Sequence, residues 1–229
     1  MLKLFPIKNT LADLTPFMYL TKLPINAPIA VITVPVPVPR CVSNHIIVNQ
    51  EDSLFWAIYI AKHGYTQYLS VSKYKNTEIQ EKQNMINFFK LNAFKLKALK
   101  ITGVATQEIM SNLMLNKKTE LQSVIAICVF YELSLFLVKD NVYLYFDTGG
   151  EDVIVHVGKK YEVDIDVTPA KIDKIKELFR LENINKPLKP ISHYKIGELE
   201  QIYKTVIGEL GKKYKKAELY AELCNKIEM

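Results

Sequence analysis

Between Asn49 and Gly64 the chain carries the run Asp52-Ser53-Leu54-Phe55-Trp56-Ala57-Ile58-Tyr59-Ile60-Ala61-Lys62-His63, which is apolar on nearly every side. A helix of that kind belongs in a core, not on a surface. Residues 49–52 offer N-cap chemistry and Gly64 a C-cap signal, so the pattern predicts a central core helix from Asp52 to His63. With 229 residues, 49% of them hydrophobic, the chain can bury such a helix in one sizeable domain and still carry an appendage.

The rest of the sequence arranges itself around that helix. Residues 1–48 are rich in proline, and Val34-Pro35-Val36-Pro37-Val38-Pro39 rules out a central strand, so this part is expected to be an extended arm, packed along the domain or docking to a partner. Two or three helices are expected between about Thr77 and Asn116, with Phe88, Phe89, Leu91 and Phe94 as core candidates and the interspersed lysines on solvated faces. Thr119 is expected to cap a helix running from Glu120 through Tyr131. Strand character follows at 134–138, 142–146, 153–157 and 161–167, punctuated by Asp140-Asn141 and Gly149-Gly150, which reads as an antiparallel meander. Thr168-Pro169 opens a further helix whose stripe is Ile172, Ile175, Leu178 and Phe179. The fold class expected is α+β, with a core over 49–184 and a helical tail over 185–229 joined through Pro187 and Pro190.

Composition narrows the chemistry. A net charge of +6 suits contact with nucleic acid or an acidic protein surface and establishes neither. Cys41, Cys128 and Cys224 show no ligand or disulfide spacing, so no metal and no cofactor is expected, and Cys128 reads as a core residue. No apolar run reaches the roughly 18 residues of a membrane span. Pro6, Lys8 and Asp13 interrupt any signal pattern, and an intracellular location is expected.

The start of the central helix is also where a reactive group would sit. A helix N-terminus favours a thiolate and can receive an oxyanion; here that place holds Ser53, with Gln50 and Asp52 beside it. Of the four histidines, His63 closes the helix, His45 precedes the strand-like Ile46-Ile47-Val48 and His193 lies in the tail. His156 lies in the run Val153-Ile154-Val155-His156-Val157, before the alternating Tyr161-Glu162-Val163-Asp164-Ile165-Asp166-Val167. If the valines of the first strand and the Tyr161, Val163, Ile165 set share a core face, the loop must be odd in length, as 158–160 is. That register puts His156 on one face with Glu162, Asp164 and Asp166, where a carboxylate can orient an imidazole base. A two-residue loop would part them.

These residues resemble a known family. Ser53-Leu54-Phe55-Trp56-Ala57-Ile58 with Gly64 resembles the Cys-Leu-Phe-x-Ala-Ile…Gly block of OTU-type deubiquitinating cysteine proteases, serine standing for cysteine. Glu120-Leu121 with the strand 133–138 resembles that family's second block, and a histidine follows in the same order. The resemblance implies a papain-like fold, its central helix on a small antiparallel sheet, and thiol hydrolysis of peptide or isopeptide bonds in ubiquitin conjugates or a viral polyprotein. Ser53 would mark the nucleophile, His156 the base, Asp164 its orienting partner, and Gln50 and Asp52 the oxyanion support. Two departures stand out: Gln50-Glu51-Asp52 replaces the family's Asp-Gly-Asn, and His156-Val157 its His-Tyr. Proteins of large nucleocytoplasmic DNA viruses carry a similar Asp-x-Leu-Phe-Trp-Cys helix, a register that moves the missing cysteine to Ala57. In either register the chain as written lacks its thiol and is expected to be inactive.

The tail carries a second resemblance. Residues 191–199 and 211–223 resemble the two halves of a SAP-type DNA-binding motif, which implies that Lys212, Lys213, Lys215 and Lys216 contact phosphates. The alternative is an amphipathic pair packing on the main domain through Leu199, Ile202, Tyr203 and Val206. The competing functional expectation is therefore a non-enzymatic viral nucleoprotein or virion factor, in the host cytoplasm, virus factory or virion, with a protease-like scaffold and a DNA-binding tail.

Overall fold

The apolar run at 53–63 forms the first helix, α1 (Ser53–His63), in which every residue from Leu54 to Ile60 is buried. The computed structural model describes residues 45–184, 186–211 and 214–227; the Val-Pro repeat of the expected arm and Lys212 and Lys213 lie outside them. Gly64, at φ +83°, ends α1 with its N–H on the Ile60 carbonyl. The chain turns at once into a short α2 (Tyr65–Ser70), then α3 (Tyr74–Leu91), α4 (Ala93–Ala98), α5 (Gly103–Leu115) and α6 (Leu121–Tyr131). Phe89 is fully buried and Phe88 packs against the core, whereas Leu91 and Phe94, two expected core residues, are 85% and 64% exposed. They lie where α3 stops and α4 starts, a break at Asn92 that turns the helical face away from the core.

The strands form one six-stranded mixed sheet: β1 (His45–Ile47), β2 (Leu133–Lys139), β3 (Val142–Phe146), β4 (Glu151–Val157), β5 (Tyr161–Asp164) and β6 (Phe179–Arg180). Its spatial order is β1-β5-β4-β2-β3-β6. The expected antiparallel meander is corrected here, because β4 pairs parallel with β2 on the side away from β3. To get there, residues 147–150 cross over the first residues of β2. Thr148 donates through Oγ1 to the Leu133 carbonyl (2.6 Å) and through its N–H to Ser134 Oγ (3.2 Å). At Gly150 a Cβ would collide with the Glu132 carbonyl, so only glycine lets the backbones come this close.

Alternation gives the sheet two unlike faces. Leu135, Leu137, Leu144, Val153, Val155 and Val163 join the large core beneath α1 and α6. Phe136, Val138, Tyr143 and Ile154 form a smaller core on the other side with Ile175 of α7 (Pro169–Lys176). The β4–β5 hairpin has the expected register, Val157 opposite Tyr161 and His156 opposite Glu162, across the odd loop 158–160. Thr168 caps α7 as anticipated, accepting from the Lys171 N–H. A domain boundary at residue 48 would cut the fold, since β1 pairs with β5 and the Val48 N–H donates to the Tyr161 carbonyl.

Beyond β6 the chain makes a 3-10 turn at Ile191–His193 and two helices, α8 (Ile196–Val206) and α9 (Lys216–Lys226). Leu199 and Tyr203 of α8 meet Leu219 and Leu223 of α9 in the continuous core, and Tyr203 Oη donates to Glu222 (3.1 Å). Leu188, expected in a linker between Pro187 and Pro190, is buried in that core. The architecture is mixed α+β with a mixed sheet; nothing in it is specific to a papain-like or OTU arrangement.

Candidate functional site

The N-terminus of α1 is occupied by a buried polar latch. Asp52, 1% exposed, caps the helix by accepting from the Phe55 N–H through Oδ1 (3.2 Å). Its Oδ2 accepts from Lys82 Nζ at 2.6 Å and from the N–H and Oγ1 of Thr119 at 3.0 and 2.7 Å. Lys82 also donates to Glu78 Oε1 (3.0 Å), and Glu78 Oε2 accepts from the Trp56 indole N–H (3.3 Å). Burying two carboxylates and an ammonium is tolerated because the ammonium bridges both carboxylates and each carboxylate oxygen accepts at least one hydrogen bond. The latch ties α1 to α3 and to the turn before α6. It also corrects the role expected of Thr119: the residue at the α6 N-cap is Glu120, and the Thr119 hydroxyl points to Asp52 instead.

The two residues expected to support an oxyanion, Asp52 and Gln50, both have partners within the fold. Both oxygens of Asp52 are engaged, and the Gln50 side-chain amide donates to Tyr68 Oη (3.1 Å). Ser53 opens α1 half-buried, while Ala57 is fully buried among core residues. Cys128, a core residue as its apolar run suggested, is fully buried in α6, and burial pushes its thiol well above the usual range.

The histidine cluster lies elsewhere. His45, His156 and Asp164 come from β1, β4 and β5, which are neighbours in the sheet, and the pairings His45 with Asp164 and His156 with Glu162 put all four side chains on one face. The two imidazoles stack with centroids 4.5 Å apart at 23°. His45 Nε2 is 3.5 Å from Asp164 Oδ2, and His45 Nδ1 is 3.9 Å from Glu162 Oε2. Lys171, in the first turn of α7, donates to both oxygens of Asp164 at 2.9 Å and to the Asp166 carbonyl at 2.6 Å. Burial lowers the His156 pKa below the ordinary range, and the neighbouring His45 adds to that; Asp164 and Glu162 pull the other way.

The expected triad is thus brought together only in part. His156 and Asp164 share a face, as the alternation anticipated. That face is the one turned to α7, whereas α1 packs on the other, against Val155 and Val163. The β4 and β5 backbones therefore lie between the imidazole and positions 53 and 57. Sequence reasoning also missed His45 and Lys171 as members of the cluster. Parity was the available signal for His45: it is one residue before the apolar Ile46 and so faces opposite to it.

In the tail, Lys215 is exposed at the start of α9 and Lys216 half-exposed in its first turn. Glu198 and Glu218 hold the two helix starts by accepting from the N–H groups of Lys195 (2.7 Å) and Lys215 (3.2 Å). The apolar stripe is spent between the helices, which leaves Lys215 exposed. No described helix is long and apolar enough to cross a membrane. No family model, curated protein or solved structure matches the chain.

Proposed function

We propose that this chain is a non-enzymatic factor that binds nucleic acid through its C-terminal helical pair, with the protease-like helix α1 serving as a strut in the core. The observation that carries the reading is the separation of α1 from His156 by the sheet. Thiol or hydroxyl attack needs a base within hydrogen-bond reach of the nucleophile, and His156, the expected base, is on the face of the sheet away from α1. Support for binding comes from the tail. Residues 185–229 carry nine lysines against six glutamates, and four of the lysines fall within 212–216, around the start of α9. Lysines at a helix start and in the residues preceding it in sequence suit phosphate contact, which gives salt-sensitive affinity with little sequence readout.

The test is the affinity of the full chain for a labelled random-sequence duplex over a range of salt. Binding is expected to weaken steeply with salt. Replacing Lys212, Lys213, Lys215 and Lys216 with alanine is expected to flatten the logarithmic salt slope by about 0.9 for each phosphate contact removed. A slope unchanged by the fourfold substitution, or no binding at low salt, would overturn the reading.

A further inference from the structure

We infer that His45, His156 and Asp164 form a binding site for a divalent cation of the zinc and cobalt class, with Lys171 as the cation that holds Asp164 when the metal is away. Among the described residues, these three side chains each bring a ligating atom within 4.8 Å of the others. They stand on three hydrogen-bonded strands, so the frame beneath them is rigid and their register is fixed by pairing. The donor set, two imidazoles and a carboxylate, suits zinc or cobalt better than calcium or magnesium, which favour oxygen ligands.

The surroundings of the cluster also suit ligation. Asp164, 5% exposed, is held by an ammonium on both oxygens. Glu162, 3.9 Å from His45 Nδ1, can accept the second ring proton of a ligating His45 and fix its tautomer. The side chain of His45 is 35% accessible, so a cation can reach the cluster from solvent.

Three adjustments are needed for binding. The ligand atoms must close from within 4.8 Å to the roughly 3.3 Å set by tetrahedral bonds of about 2.0–2.1 Å. The stacked rings must turn about χ2, a torsion with a broad minimum in histidine. Lys171 must leave Asp164. Its side chain is 29% accessible at the edge of the site, so the ammonium can swing into water as the metal arrives. Cysteine and histidine spacing gave no hint of this site because the ligands come from separate strands, 111 and eight residues apart along the chain, between His45 and His156 and between His156 and Asp164.

The experiment is a titration of the full chain, with Cys41 and Cys224 replaced by serine, using Co2+ read by its visible d–d absorption and Zn2+ by competition. One equivalent is expected to bind. H45Q and H156Q, each checked for native thermal unfolding, are expected to weaken binding at least about tenfold, and K171M to strengthen it by about tenfold, the scale typical of groups around the ligands. H193Q serves as the control and should leave binding unchanged. No saturable 1:1 binding in either the parent or K171M would overturn the inference, as would binding that survives both H45Q and H156Q. K171M keeps the test independent of whether the histidine variants fold.

Discussion

Asp52 shows how one carboxylate can make a motif look catalytic. Its N-cap role was legible because it depends on Phe55, three residues on; its ties to Lys82 and Thr119 were not, because those partners are 30 and 67 residues away. Removing it takes one of the two carboxylate partners of Lys82 and leaves the Phe55 N–H and the N–H and hydroxyl of Thr119 without their acceptor, so Asp52→Ala is expected to destabilise the fold by about 3–5 kcal/mol. Lys82→Met should cost less in the Asp52→Ala chain than alone, because the Asp52 carboxylate it would otherwise leave buried without an ammonium is already gone. Urea unfolding of the two single variants and the double variant measures the coupling; additive losses would argue against the latch. The histidines provide a second residue-scale test. Burial lowers the pKa of both His156 and His63 in the folded state. The unfolded chain then binds more protons than the folded one below about pH 6.5, so stability should fall as pH drops through that value. His156→Gln should flatten the fall without abolishing it, since His63 still contributes; thermal unfolding between pH 5 and 8 reads both slopes.

At the scale of elements, what the sequence shows depends on whether the information is local. The β4–β5 register followed from strict alternation and an odd loop, and α7 from Thr168-Pro169. The parallel placement of β4 beside β2 was hidden because it rests on a crossover. Gly149-Gly150 reads as a turn, yet the reason Gly150 must be glycine is its contact with the Glu132 carbonyl, 18 residues back along the chain. Gly150→Ala is expected to lower stability by roughly 1–3 kcal/mol, as overpacking typically does, while Gly149→Ala meets no atom but carries the strain of φ +74°. Comparing their denaturant midpoints tests the crossover: a neutral Gly150→Ala would mean that β4 does not start against Glu132. Leu91 and Phe94 show the opposite failure, apolar residues taken for core because the break between α3 and α4 at Asn92 leaves no clear mark in the sequence.

For the whole molecule, the decisive property is which side of the sheet each group occupies. Sequence order put a helix start, an aliphatic strand and a histidine in the sequence expected of a thiol protease, and order says nothing about faces. Parity does, once it is known that α1 covers the Val155 and Val163 side and α7 the Ile154 side. The alternation that correctly joined His156 to Asp164 therefore also keeps His156 from positions 53 and 57. The tail follows the same logic: its two helices were legible from their patterns, but the burial of Leu188 between two prolines was not, because that residue meets the core only through tertiary packing. The separation of α1 from His156 decides between the two functions, and a restored thiol measures it directly. With Cys41 and Cys224 replaced by serine, Ser53→Cys and Ala57→Cys are each alkylated over a range of pH, with and without His156→Ala, and each is also offered a ubiquitin-based electrophilic probe. A thiol at position 53 has the helix N-terminus to lower its pKa in any case, so dependence on His156 is the discriminating quantity. The predicted result is an alkylation profile at position 53 unchanged by His156→Ala, a protected thiol at position 57, and no capture of the probe by either. Alkylation or probe capture that is lost with His156→Ala would contradict the account.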